Sequence, residues 1–458
     1  MARPLLESPR MYLRDRAELE GRLRFSLSAR LRAARQRTDS LFALMADEAL
    51  RARPVPERHR LIFYLGHLEA FDSNLILRDS LGRASRRPEL DRLFAFGIDP
   101  LATDLPSDQP SDWPHLVDVQ RYNACQRVAV DAAIATSPLL RPVHPNLQNG
   151  WAVNLAIEHR LMHAETLAYL IHQLPYALKH AGPHPPLSAV AHAPTRTIEI
   201  PAGRARLGLA RAVAPFEAWD NEYEAHDVDV EAFAIECHDV TNADFLEFVR
   251  EGGYQERSLW TDEDWAWVRA SGREHPPFWV RTPGAWRYRA MFAEVPLGLS
   301  WPVYVSHAEA AAFARWRGRA LPTEAQFHRA AYGTPEGRER SYPWGEAPPV
   351  GRRGVFHFQQ WDPSAVGTHR GGDSAWGVSD LVGNGWEWTS TPFAPFPGFE
   401  PLPFYRGYSA DFFDGRHYVM KGGSPRTDAS LLRRTFRNWF QPHYAYAYAT
   451  FRCVEPRA

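Results

Sequence analysis

Leu155-Ala156-Ile157-Glu158-His159-Arg160-Leu161-Met162-His163-Ala164-Glu165-Thr166 sets the character of the first part of this chain. Its apolar residues recur at helical spacing. His159 and His163 are four positions apart, so they project from one helix face about one turn apart. Two imidazoles at that spacing can reach one metal ion. Leu155, His159, His163 and Leu170 form the inward stripe, with Thr166 alongside and Glu165 off it. Upstream, Tyr64, Leu68, Phe71 and Leu75 mark the buried side of another helix, and His67 falls on that side. A lone histidine on an apolar face is more often a core residue with a satisfied hydrogen bond. Three of them on two helices point instead to a metal in a bundle core. Three neutral imidazoles suit zinc, iron, copper or nickel alike.

The 458 residues exceed what one compact core holds and suggest two or three domains. Lys and Arg total 53 against 54 Asp and Glu, a net charge of −1, so nothing argues for a nucleic-acid partner. No stretch approaches the roughly 18 uninterrupted apolar residues of a membrane span. The charged segment from Met1 to Leu19 lacks the apolar region of a secretory signal. Cys125, Cys237 and Cys453 are sparse and far apart, which argues against a disulfide framework and a structural zinc site. A soluble cytoplasmic protein with neither nucleic-acid nor membrane partner is expected.

Segments 15–48, 57–80, 113–137 and 147–182 carry apolar residues at helical spacing. Proline-rich joints separate them, at Pro54 and Pro56, at Pro106, Pro110 and Pro114, and at Pro142 and Pro145. An antiparallel four-helix bundle is expected over residues 1–185 and a proline-marked linker over 186–196. Over 197–458 Gly, Pro and Trp become dense and apolar runs short. The chain as a whole carries 16 Trp and 38 Pro, which suits a loop-rich α+β domain. Short helices are expected at 241–251 after Thr241, at 307–317 after Ser306, and following Pro322-Thr323-Glu324.

Several short motifs follow one another in this second part. They are Trp219-Asp220-Asn221-Glu222, Val240-Thr241-Asn242, Gly252-Gly253-Tyr254 and Leu321-Pro322-Thr323-Glu324-Ala325, then the run from Gly377 to Ser390 with Gly383-Asn384-Gly385-Trp386-Glu387-Trp388. Lys421-Gly422-Gly423-Ser424, Phe436-Arg437-Asn438-Trp439 and Phe451-Arg452-Cys453 complete the series. In this order they resemble the formylglycine-generating-enzyme-like fold, a C-type lectin variant. Gly383, Asn384, Trp386 and Trp388 read as scaffold. The first part resembles the DinB-like bundle, whose metal motif is a His on the second helix followed by His-x-x-x-His-x-Glu. Here these are Gly66-His67-Leu68 and His159 to Glu165. The combination resembles the ergothioneine-type sulfoxide synthases. It implies an enzyme that uses iron(II) and O2 to join sulfur to C2 of the imidazole of hercynine, at a site between the two domains.

The resemblance makes His67, His159 and His163 the iron ligands. It makes Tyr405, in Pro403-Phe404-Tyr405-Arg406-Gly407-Tyr408-Ser409, a candidate proton donor, with Tyr408 as a neighbouring substrate-pocket tyrosine. A phenol suits that role because it resists ionisation near neutral pH; a plain loop aromatic is the competing reading. Asn438 and Trp439 match the pair that holds hercynine, Trp439 by cation–π contact with the quaternary ammonium. Members that use γ-glutamylcysteine carry Asp after Asn-Trp, where this chain has Phe440. They also carry arginines before the third helix, where Ser107-Asp108-Gln109-Pro110-Ser111-Asp112-Trp113 has none, and often Gln where Met162 stands. Burying a doubly acidic dipeptide without cationic partners would cost several kcal/mol. These departures resemble the selenoneine synthase branch, which implies a selenosugar donor. A sister enzyme using γ-glutamylcysteine or cysteine is the first alternative. Formylglycine generation would need redox-competent cysteines, and a lectin-like binding protein would hold no metal at the three histidines.

Overall fold

The computed structural model describes residues 9–95, 106, 108–142, 144–183, 195–214 and 218–455, and the side chains from residue 16 onward. The expected linker lies outside the described residues except for Thr195 and Arg196, and so do Ser107 and residues 1–8. Two compact units divide the chain, Met1–Leu167 and Ala168–Ala458.

The first unit is helical. Its helices are α1 (Pro9–Phe42), α2 (Leu61–Ser73), α3 (Pro88–Leu93), α4 (Leu116–Thr136) and α5 (Trp151–Gln173), the last of which runs on into the second unit. The four long ones match the four expected from periodicity. The short α3, opened by Pro88, is an addition. A π-helical turn, Asn74–Asp79, continues α2. α2 packs closely against α4, and α1 also lies against α4. The expectation of one buried side for α2 understates its burial. Leu61, Ile62, Phe63, Tyr64, Leu68 and Ala70 are buried together with the acids Glu69 and Asp72, so almost every face is covered. Charge at the interface explains the difference, as described below.

The second unit is α+β, as expected. Its strands are β1 (Thr197–Ile200), β2 (Gly203–Leu207), β3 (His226–Val230), β4 (Phe233–Glu236), β5 (Trp279–Thr282), β6 (Ala285–Arg289), β7 (Glu294–Pro296), β8 (Gly385–Pro392), β9 (Tyr418–Gly423), β10 (Asn438–Phe440) and β11 (Ala449–Thr450). Its helices are α6 (Asn242–Arg250), α7 (Asp262–Ser271), α8 (His307–Trp316) and α9 (Glu324–Tyr332). The largest sheet runs β10-β9-β8-β11, with β10 at its edge. Thr241, Ser306 and Thr323 cap α6, α8 and α9 with capping boxes, so the three expected helices form where expected. α7 is a fourth, capped by Thr261 and ended by Gly272 in the left-handed conformation. Ile200, Val230, Phe233, Ile235, Phe327 and Leu381 belong to one core cluster. Gly383 has φ +100°, and a Cβ there would lie 2.8 Å from the Val355 carbonyl oxygen. Beside it the Asn384 amide bonds Ser364 twice, and Trp386 and Trp388 are buried, which makes this motif a piece of framework. Among the described residues no helix is long and apolar enough to cross a membrane.

Candidate metal centre

α2 and α5 bring His67, His159 and His163 together. One nitrogen from each ring lies within 4.8 Å of the others. The ring centroids of His67 are 5.1 Å from His159 and 4.9 Å from His163. His67 and His159 are buried. His163 is half-buried as a whole, with its Nδ1 sealed from solvent.

Burial pushes the His67 imidazole down to about 4 and holds His159 and His163 well below the usual range; neighbouring rings add to it, and so does Arg58 at His163. All three are neutral near pH 7. His67 Nδ1 lies 2.7 Å from the carbonyl oxygen of Phe94. A carbonyl only accepts, so Nδ1 carries the proton and Nε2 presents a bare lone pair. That Nε2 lies 3.3 Å from Nε2 of His159. Nδ1 of His159 and of His163 are buried without any hydrogen-bond partner. A cation among the three rings would take one lone pair from each, and Nε2 of His67 and of His159 already face one another. The donor set therefore fits a first-row metal and leaves coordination positions open.

Two features hold the histidines in register. The first is Gly66, where a Cβ would come 2.5 Å from the Phe94 ring. The missing side chain lets Phe94 lie flat on α2, so its carbonyl meets His67. The second is Arg160, the residue after His159, which is fully buried. Its guanidinium donates to Glu69 at 3.1 Å, to Asp72 at 2.7 Å and to the Leu68 carbonyl at 3.1 Å. Arg127 donates to Glu69 from α4 at 2.9 Å. Burial raises Asp72 and works against ionisation of Glu69, but Arg160 and Arg127 hold Glu69 below the usual range. α2 and α5 are thus clamped by charge on one side and carry histidines on the other. Neither Phe94 nor this clamp was foreseen from sequence. The only signals were the glycine before His67 and the acids Glu69 and Asp72 at helical spacing.

Met162 is half-buried on α5 between the two histidines. The Asp108–Trp113 stretch has no arginine of its own, yet arginines reach it from upstream. Asp108 accepts from Arg53 and, at 2.9 Å, from Arg60, while Arg51 donates to the carbonyls of Pro110, Trp113 and Pro114. Those guanidinium groups already have protein partners.

The other expected site residues lie in the second unit, where one tetrad organises them. Trp219 stacks on Tyr408 at 4.1 Å. Asp220 accepts from Ser409 at 2.5 Å and from the Leu402 N–H at 3.3 Å, so it ties both ends of the loop that carries Tyr405 and Tyr408. Burial pushes Asp220 up to about 6, against these hydrogen bonds. Asn221 donates to Ser409 at 2.9 Å. Glu222 accepts from Arg433 at 2.8 Å and from Thr435 at 2.6 Å, just ahead of β10. Tyr405, Tyr408 and Trp439 come together as a result, with ring centroids 5.6 Å apart for the first pair and 5.5 Å for Tyr408 and Trp439. Phe393 covers one face of the Trp439 indole at 4.1 Å. Strand alternation puts Asn438 and Phe440 on the opposite side of β10 from Trp439. The Asn438 Oδ1 accepts from the Trp439 N–H at 2.9 Å. Phe440 stacks on Tyr444 at 4.6 Å. Cys453 is buried, and burial beside Glu236 pushes its thiol well up.

Residues 30–167 match the DinB superfamily, and residues 186–457 match the sulfatase-modifying factor enzyme 1-like domain. A histidine-bearing bundle followed by a domain of that kind is the make-up of an oxygen-dependent oxidoreductase, the class to which its hercynine oxygenase relatives point. The chain is 33% identical over 433 residues to the hercynine oxygenase of Mycolicibacterium thermoresistibile, covering 92% of each chain. It is 32% identical over 432 residues to that of Mycolicibacterium smegmatis, covering 92% of this chain and 96% of the relative. The formylglycine-generating enzyme of Mycobacterium tuberculosis is 32% identical over 242 residues, which cover 45% of this chain and 77% of that enzyme. The chain belongs to the ergothioneine-type sulfoxide synthase family.

Proposed function

We propose that this chain is a cytoplasmic selenoneine synthase, which forms a carbon–selenium bond between C2 of the hercynine imidazole and a selenosugar in an iron(II)- and O2-dependent reaction. The buried convergence of His67, His159 and His163 carries the metal part of this reading. Those residues would hold iron(II), and the bound metal would supply oxygen activation and a template for the substrates. The protein supplies the rest. Phe94 keeps the His67 tautomer in which Nε2 is bare. Tyr405 donates a proton. Tyr408, stacked on Trp219, and Trp439 provide aromatic surface for the betaine of hercynine.

The donor preference rests on Phe440 and on Met162. Phe440 presents a ring, stacked on Tyr444, where binding an ammonium would call for a carboxylate. The arginines that reach the Asp108–Trp113 stretch are already engaged, which leaves a neutral donor as the better match.

Anaerobic reconstitution with iron(II), followed by O2 consumption with hercynine, tests the reading. Selenosugar, γ-glutamylcysteine and cysteine are compared as donors by mass spectrometry, with His163→Ala as control. Turnover with the selenosugar alone supports it. Preference for γ-glutamylcysteine refutes the donor assignment and keeps the iron chemistry. No hercynine-dependent O2 uptake with any donor refutes the enzymatic reading.

A further inference from the structure

The first unit contains a cavity of 360 Å³ whose lining includes Arg78, Arg83, Arg86, Arg87 and Arg121 and no acidic residue. Its floor is mixed, with Leu77, Tyr122 and Gln126. The arginines come from the π-helical turn after α2, the loop that follows it, and α4. None belongs to the histidine cluster or to the charge clamp on Arg160.

The frame of this cavity is built around Asp91, which is buried. Asp91 accepts from Tyr122 Oη at 2.7 Å, from Arg78 at 3.2 Å and from the Ser85 hydroxyl. Arg78 also donates to the Ala84 carbonyl at 3.0 Å. Asp91 therefore fastens the loop, the π-helical turn and α4 to one another, and Arg78 is engaged in that frame. The other guanidinium groups are left for the cavity. Arg87 pairs with Glu89 in an exposed ion pair, and Arg121 is 3.9 Å from Asp118; such pairs are weak and open readily to a competing anion. Among the described residues no carboxylate lies within ion-pair distance of Arg83 or Arg86. Set against Asp91, Glu89 and Asp118, the five lining arginines leave two positive charges over.

We infer that this cavity binds a small multiply charged oxyanion, a phosphate ester or a polycarboxylate, at a site separate from the histidine centre. The volume lies in the range of small-molecule pockets. Guanidinium forks match phosphate and carboxylate oxygens two at a time. Tyr122 and Gln126 give the non-ionic part of such a ligand a floor to lie on. The site is independent of the donor and metal proposed above.

Isothermal titration of the full-length protein with pyrophosphate, and in parallel with citrate, tests this. Saturable binding of pyrophosphate is expected, weakened roughly tenfold or more by Arg83→Ala combined with Arg86→Ala. Both residues are exposed, so the variant should keep the circular dichroism and metal content of the parent. Binding of citrate as well as pyrophosphate assigns the site to charged oxygens in general, and binding of pyrophosphate alone assigns it to phosphates. No binding of either anion, or equal binding by the double variant, overturns the proposal. Tighter binding of a single-stranded oligonucleotide, lost in the same variant, also overturns it, because the surface would then serve nucleic acid.

Discussion

His163→Ala removes one of three converging nitrogens and leaves His67 and His159 3.3 Å apart. Iron retained after gel filtration should fall at least roughly tenfold, while helix content stays unchanged. Gly66→Ala acts without touching a ligand. Its methyl group would meet the Phe94 ring at 2.5 Å, so the Phe94 carbonyl must shift away from His67. Iron affinity should drop although all three histidines remain, and unchanged affinity would show that the carbonyl plays no part in holding the ring. Asp220 gives a pH signature. Its folded pKa of about 6 lies above the ordinary 3.8, so the folded chain binds the extra proton between those values. Its contribution to stability is full below that window and is lost as pH rises through it. Asp220→Asn should flatten the pH dependence of stability between 3.8 and about 6, by no more than about 3 kcal/mol. Parallel slopes in parent and variant would contradict that sign.

Helices α2 and α5 owe their register to a buried charge cluster as well as to apolar packing. Arg160→Met leaves Glu69 and Asp72 buried without their central partner. A loss of about 3–5 kcal/mol in urea unfolding is expected, with part of it recovered when Glu69→Gln and Asp72→Asn are added. The same cluster shows where sequence reading reaches its limit. The long helices were legible because periodicity is local, and α6, α8 and α9 because Thr241, Ser306 and Thr323 are local caps. α7 carries the same kind of signal in Thr261 and Asp264, but Trp265 and Trp267 blur its period. The burial of Glu69 and Asp72 depends on Arg160, about ninety positions away along the chain, and nothing near the acids announces it. Phe94 contributes a backbone oxygen, a group that every residue has, so its role leaves no mark on residue type. The histidine centre itself was legible because its ligands are chemically distinctive and two of them sit one helical turn apart.

The two compact units should respond differently to metal. A metal that binds only folded protein stabilises it by about 2.7 kcal/mol at a hundredfold excess over Kd. Hydrogen exchange should show that gain in α2 and α5 on addition of iron(II), reversed by a chelator. Amides of β8 and β9, in the second unit, should exchange at the same rate with or without metal. Slowing confined to the second unit would place the cation elsewhere.

Strand β10 is three residues long, lies at the margin of its sheet and bonds only to β9. Its side chains are half-buried and the Phe440 ring packs on Tyr444, so replacement at 440 leaves the bonds between the ladder's other strands in place. Such a place tolerates inheritance of change. A lineage could exchange the residue after Asn438-Trp439 many times while the framework around Gly383 and Trp388 stayed as it was. Divergence of chemistry within one architecture then needs no new scaffold, only drift along a free edge.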